Sequence, residues 1–154
     1  MTKLPHYQQG FTLIELGIVS AIVVIISILA APSFAQFIKQ DRLVTNANRV
    51  HSLIKFARSE AVKRETQINL RANGDVWEVV EDQGTTDEAI INNFNKTTNT
   101  VTIVFPTVSI SPTGEFGSAL NISITDGDSS TNDFLLCGLI SGQTWLLEGA
   151  SGCG

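Results

Sequence analysis

Residues suited to catalysis are scarce in this 154-residue chain. Histidine occurs twice, and only His51 lies beyond the first ten residues. There is no G-x-S-x-G elbow, no phosphate-binding glycine loop and no pair of side chains at metal-ligand spacing. These absences argue against an enzyme, and His51, set in a helical pattern, reads as a solvated or interfacial side chain. Asp126-Gly127-Asp128-Ser129-Ser130 begins with alternating oxygen ligands. A calcium loop of the EF-hand kind, however, needs glycine where Thr131 stands and a bidentate glutamate where Cys137 stands, so a solvated turn is the better reading. The chain is accordingly expected to have no catalytic residues, no metal ligands and no cofactor. Lysine and arginine are missing from Gly142 to Gly154, and internal repeats and low-complexity blocks are missing throughout.

The most informative scarcity is of charge near the N-terminus. From Phe11 to Ala31, 21 residues, the only ionisable side chain is Glu15. As a helix that span is about 31 Å long, the thickness of a bilayer core. Its thirteen Leu, Ile, Val and Phe residues favour insertion by about 4–8 kcal/mol in total, against about 3 kcal/mol opposing it for an acid at the helix centre. Glu15 lies near one end, where the penalty is smaller and the side chain can snorkel. Insertion is therefore expected, and the acid needs a reason.

Lys3 in a short polar leader, then Gly10-Phe11-Thr12-Leu13-Ile14-Glu15-Leu16, then a long apolar helix, closely resembles the N-terminus of type IV pilins and of the pseudopilins of type II secretion. The resemblance implies cleavage by a prepilin peptidase between Gly10 and Phe11, N-methylation of Phe11, and a mature chain whose fifth residue is Glu15. In the bilayer the new α-amino group of a neighbouring subunit would meet that carboxylate, each offsetting the other's desolvation. Two other readings stay open: a generic single-pass anchor, and a secretory signal peptide cut near Ser33-Phe34-Ala35, which the length of the run and Glu15 oppose. Charge leaves the orientation undecided, with Lys3 on one side facing Lys39, Arg42 and Arg49 on the other. The resemblance and the cysteines point to a periplasmic C-terminal part.

After Pro32, which lacks an amide hydrogen and should kink or locally open the helix, the period stays helical and becomes amphipathic. Phe34, Phe37, Ile38, Val44, Ala47, Val50, Ile54, Ala57 and Ala61 recur at three- and four-residue spacing, with Lys39, Gln40, Arg42, Asn46, Arg49, Lys55 and Lys63 largely opposite. Alanines 47, 57 and 61 would admit a sheet closely. The stretch from Ala57 to Arg64, together with the Ser111-Pro112-Thr113-Gly114 turn, resembles the minor-pilin subgroup called the GspH/FimT family. At Gln67 the period changes to alternation: Ile68 to Val80 reads as a hairpin about Asn73-Gly74. Asp82 to Thr100 reads as a long polar loop, and 101–105, 108–110, 120–125, 134–140 and 144–147 as further short strands between Pro- and Gly-containing turns. Trp77 and Trp145 read as core or sheet-face aromatics.

The fold class is thus α+β: a long N-terminal helix, transmembrane in its first half and amphipathic in its second, packed on an antiparallel β-sheet head, as in the pilin fold. Its parts are a leader over 1–10, a transmembrane and assembly helix over 11–31, its amphipathic continuation over 32–65 and a periplasmic head over 66–154, one domain in size. From Phe34 to Glu65 seven basic residues face three acidic ones, +4, whereas from Thr66 onward two face eleven, −9. Cys137 and Cys153, if joined, imply an oxidising compartment. Sequence alone also admits two free thiols, and a bonded pair near the C-terminus is what the resemblance implies.

The chain reads as a structural minor pilin or pseudopilin. Its partners are other pilins or pseudopilins in a filament, the prepilin peptidase, the inner-membrane assembly platform and, before assembly, membrane lipid. Its location is the bacterial inner membrane, crossed once, and then a pilus or pseudopilus. The alternative is a DNA-uptake minor pilin, because some members of the subgroup bind DNA through a basic motif near the C-terminus. The cation-free tail and the head of −9 leave counterion release little to work with, so no appreciable DNA affinity is expected.

Overall fold

In a computed structural model that describes residues 10–95 and 100–153, the helical period becomes a single α-helix, α1 (Leu13–Arg64). Of the expected leader only Gly10 is described; residues 1–9, Lys3 among them, lie outside the described residues. Pro32 sits inside α1, where its missing N–H withdraws one i→i−4 bond, and the helical assignment continues on both sides of it. Lys63 and Arg64 occupy the last turn, complementing the negative end of the helix dipole. The chain leaves the helix at Glu65 with φ +56°, a left-handed cap that glycine usually supplies.

The chain divides into two compact units, one ending at Phe37 and the other spanning Ile38–Gly154. The described part of the first is helical from Leu13, and none of its side chains is buried. The second holds the hydrophobic core. There Leu43, Ala47, Val50, Ile54, Ala57 and Ala61 of α1 share one cluster with Ile68, Leu70, Val79, Ile110, Ile122, Ile124 and Leu136 of the strands. The alanines at 47, 57 and 61 are fully buried, as their small size invites. Buried residues of α1 also lie outside the expected apolar stripe. Leu43 and Leu53 join the core, and so does Asn46, which spacing had placed on the polar face. Its Nδ2 donates to the Arg42 carbonyl at 2.8 Å, a local bond that lets an amide sit on a buried face; its Oδ1 is buried without a partner among the described residues.

The strands form two antiparallel four-stranded sheets rather than one. The first contains β1 (Ile68–Asn73), β2 (Val76–Glu81), β3 (Ala89–Asn95) and β5 (Val108–Ile110), in the order β3-β2-β1-β5. The second contains β4 (Thr102–Ile103), β6 (Leu120–Thr125), β7 (Phe134–Gly138) and β8 (Thr144–Glu148), in the order β4-β6-β7-β8. The hairpin turn is shifted by one residue from the Asn-Gly signal. Asn73 pairs with Val76, which leaves Gly74-Asp75 as the loop, and the positive φ, +62°, falls on Gly74 at its first position, as a type II′ turn requires.

The expected loop over 82–100 is corrected: it contains β3, paired with β2 through Val76↔Asn95 to Glu81↔Ala89 and interrupted by a register shift between Val79 and Val80. Alternation did not reveal β3 because it is a sheet edge. Its side chains are exposed or half-buried, and its asparagines hide the contribution of Ile91 and Phe94, which pack against the core from outside. Phe94 stacks on the buried Trp77 at 5.3 Å, and Phe105 does the same at 5.4 Å.

Cys137 on β7 is bonded to Cys153, Cα to Cα 5.6 Å, which closes the C-terminal segment over a separation of 16 residues. A loop of that size stabilises the folded head by about 3 kcal/mol in the chain-entropy view.

Candidate assembly site

Thr12 begins the helix. Its carbonyl accepts from the Leu16 N–H at 3.2 Å, and its Oγ1 accepts from the Glu15 N–H, also at 3.2 Å. Thr12-Leu13-Ile14-Glu15 is therefore a capping-box sequence with its first bond made, a signal that the sequence carries as T-x-x-E. Glu15 lies in the first turn, where a carboxylate complements the positive end of the helix dipole. Gly10 and Phe11 precede the helix, and Phe11 is 85% exposed. The structure thus brings Phe11, Thr12 and Glu15 into one helix start and sets Pro32 further along the same element. The two cysteines belong to the other compact unit.

From Phe11 to Leu29 every large apolar side chain is exposed. The two serines in this stretch turn inward on their own helix: Ser20 Oγ donates to the Leu16 carbonyl at 2.8 Å and Ser27 Oγ to the Val23 carbonyl at 2.7 Å. Polar groups satisfied within the helix are what a lipid environment demands. α1 is the one described helix long and apolar enough to cross a membrane. At roughly 1.5–3 kcal/mol for each large apolar side chain removed from water, thirteen such residues cannot remain solvated; lipid or other helices must cover them.

In the second unit, ionic contacts tie α1 to the strands and loops. The Lys39 ammonium pairs with Asp128, and the Gln40 amide exchanges two hydrogen bonds with the Asn132 backbone, at 2.8 and 3.2 Å. In the Asp126–Ser130 turn, Asp126 Oδ1 accepts from the Asp128 N–H and the Thr131 hydroxyl, while Asp128 Oδ1 accepts from the Ser130 N–H and hydroxyl. The carboxylates of this segment, expected to form a turn rather than a calcium loop, are thus engaged by the turn itself and by Lys39. Arg64 joins Glu60 to Glu81, and Arg71 joins Glu78 to Glu88, all at 2.8 Å. Among the described residues no group of three or more His, Cys, Asp or Glu is placed to hold a metal ion.

These contacts set a pH dependence. The hydrogen bond from Lys39 holds Asp128 well below the usual carboxylate range. Arg64 lowers Glu60, Arg71 lowers Glu78, and the Gly84 N–H followed by Arg71 lowers Glu88. Groups depressed in the folded state contribute stability that is present above their unfolded values and lost as pH falls through the folded ones. His51, depressed chiefly by burial and then by Lys55, acts in the same direction below about pH 6.5. Thermal melts of the full chain in detergent should give a midpoint highest near neutrality, slightly lower once His51 protonates and steeply lower below about pH 4.5. A midpoint flat from neutrality into that acid range would contradict these pairings.

The junction that sequence reading missed is centred on Arg58. Its Nε donates to the Gly114 carbonyl at 2.8 Å. Gly114 closes the Ser111–Gly114 turn through its N–H to the Ser111 carbonyl, also 2.8 Å. Gly142 packs against the same pair: with φ +88°, a Cβ there would strike the Gly114 carbonyl oxygen and stand 2.5 Å from Arg58 Nε. The stretch 57–64 and the turn at 111–114, which resemblance had singled out separately, therefore meet through one guanidinium.

A family model described as type II transport protein GspH matches residues 46–142, a range that contains this junction. Among curated proteins no relative matches. The type IV minor pilin FimU of Pseudomonas aeruginosa PAO1 is similar in structure, with TM-score 0.62 and 18% identity over 72% of this chain and 92% of FimU. A second crystal form of FimU gives 0.58 and 19% over 68% and 92%. The minor pseudopilin EpsH of the Vibrio cholerae type 2 secretion system gives 0.58 and 10% over 70% and 97%. At these identities the likeness is one of fold.

Proposed function

The chain belongs to the type II transport protein GspH family, and on that premise we propose that it is a minor pilin or pseudopilin, anchored in the bacterial inner membrane with its C-terminal head in the periplasm and then assembled into a filament. The family and the fold are those of structural pilins, which supports assembly rather than catalysis as the work of the chain. The observation that carries this reading is the uncovered apolar run from Phe11 to Leu29, opened by Gly10-Phe11-Thr12-Leu13-Ile14-Glu15-Leu16.

In this reading the prepilin peptidase removes residues 1–10, Phe11 becomes the N-methylated terminus, and residues 11–31 lie in lipid until the assembly platform transfers the subunit to the filament. There the helices of neighbouring subunits replace lipid, and the carboxylate of Glu15 meets a neighbour's α-amino group, which fixes axial register because two buried charges are paired only in that position. The segment 32–65 continues the helix into the head, and the disulfide suits the oxidising periplasm.

Intact mass from native membranes tests the reading. The expected mass is that of Phe11 to Gly154 plus one methyl group, less the two hydrogens of the Cys137–Cys153 bridge, which reduction restores. A mass beginning at Met1 would leave an ordinary anchor, and one beginning near Ser33 a secreted soluble domain.

A further inference from the structure

The outer strands of an antiparallel sheet leave one row of backbone N–H and C=O groups outside the ladder, and proteins blunt such edges by shortening, charging or covering them. Among the described edge strands, β4 has two residues and β5 three. β5 is also met on its outer side by Phe116, paired with Ile110, and by the Gly117 N–H, 2.9 Å from the Ser109 carbonyl. β8 is held beside α1 by Thr144, 2.9 Å from His51 Nε2, and by Glu148, which accepts from the Gln40 amide at 3.3 Å. β3 is managed in none of these ways. It is seven residues long, carries neither charge nor proline, and among the described residues pairs with β2 alone. The register shift leaves Ile91 as the extra residue, and beyond it residues 92–95 pair without interruption with residues 76–79.

Beside this half of the edge, α1 still presents exposed side chains. A groove of about 540 Å³, within the range of ligand clefts, is lined by Thr45, Arg49 and Ser52 of α1 and by Asn92, Asn93 and Phe94 of β3. All of these but the half-buried Phe94 are exposed. Among the described residues Arg49 supplies the groove's only charge, and its guanidinium stands 5.4 Å from the Phe94 ring centroid. Strands lie about 4.8 Å apart in a sheet, so the groove is where the strand after β3 would run. We propose that β3 takes an extended segment of a different polypeptide as a fifth strand of the first sheet, with backbone pairing along residues 92–95 and every second side chain of the segment entering the groove. The lining sets its chemistry: amides, hydroxyls, an aromatic ring and one cation accept neutral or acidic side chains and oppose basic ones. A second copy of this chain has no strand to offer. Its β4 and β5 are too short, its β8 lies beside α1, and β3 against β3 would bring together two grooves of the same charge. The proposal goes beyond the assembly reading and does not rest on it, because the contact lies wholly within the Ile38–Gly154 unit.

The test compares hydrogen–deuterium exchange of the full chain in native membranes with that of the full chain purified in detergent. Amides of residues 89–95 are expected to exchange at least about tenfold more slowly in membranes, where the added strand pairs them, while those of β1 and β7 exchange alike in both. The photo-reactive residue benzoylphenylalanine in place of Asn93 should cross-link to one other polypeptide, and a synthetic peptide of the segment so mapped should restore the slow exchange in detergent. Asn92→Lys with Asn93→Lys puts a charge on each face of the edge and should return residues 89–95 to the detergent rate and abolish the cross-link made from Ile90. Asn92→Thr with Asn93→Thr suits a strand and adds no charge, so it should keep both. Both positions are exposed, and retention of the Cys137–Cys153 bridge on a non-reducing gel reports the fold. Equal exchange in membranes and detergent overturns the proposal, as does protection that survives the lysine pair or is lost with the threonine pair. A cross-link within this chain or to a second copy of it, or to a segment whose peptide confers no protection, overturns it as well.

Discussion

Replacing Glu15 by leucine is expected to leave membrane insertion intact and to cut incorporation into filaments by two to three powers of ten. Insertion is kept because the substitution removes the only ionisable side chain between Phe11 and Ala31 and adds one that itself favours the bilayer. Incorporation falls because the neighbour's α-amino group would then enter an apolar helix packing unpaired, and removing one partner of a buried pair costs about 3–5 kcal/mol. The competing account is local: Glu15 stands at the third position of a capping box, and a carboxylate at a helix start is worth about 0.3–1 kcal/mol through the dipole. Thr12→Ala separates the two, since it deletes the oxygen that accepts the Glu15 N–H at 3.2 Å, at about 1 kcal/mol, and leaves the carboxylate in place. Filament yield from membranes, measured against total inserted chain, is the readout. A Thr12→Ala defect as deep as that of Glu15→Leu would assign the acid to capping and remove it from assembly.

Gly142→Ala is expected to destabilise the head by about 4 kcal/mol, although it adds a single methyl group. A residue with a side chain at φ +88° forfeits about 1–2 kcal/mol to the left-handed backbone. The new Cβ then collides with the Gly114 carbonyl and crowds Arg58 Nε at 2.5 Å, and overpacking of this kind costs about 1–3 kcal/mol. Relief of the clash requires Arg58 to give up its 2.8 Å bond to Gly114, about 1 kcal/mol more. Denaturant unfolding of the full chain in detergent measures the sum. Arg58→Lys is the informative companion: a lysine ammonium lacks the planar Nε–H that fits between the two turns, so the loss should be smaller than for Gly142→Ala yet present. A Gly142→Ala chain as stable as wild type would show that the two turns separate readily and that the junction does not hold the head together.

The elements were legible where one periodicity dominates. Apolar residues at helical spacing after Pro32 announced α1, and alternation after Gln67 announced β1, β2, β5 and β6 nearly to the residue. β3 escaped because a sheet-edge strand buries few side chains, so its sequence carries little alternation; what makes it a strand is the ladder to β2. Asn46 was misplaced for the converse reason. Spacing assigns residues to faces by polarity, whereas the amide satisfied its own donor at the Arg42 carbonyl and so sits on the buried face.

By itself, the sequence determined the composition of the N-terminal helix, its length, its solitary acid and the glycine before it, because insertion into a bilayer depends on local composition over some twenty residues and on little else. It likewise determined the charge contrast between the +4 of residues 34–65 and the −9 of those that follow. Only the tertiary structure decided the rest: the division of the strands between two sheets, the bridge between Cys137 and Cys153, and the meeting of Arg58, Gly114 and Gly142. Each joins residues sixteen or more positions apart, and no periodicity carries such distances; they are settled by which surfaces exclude water together and which carbonyl a guanidinium finds once the core has closed.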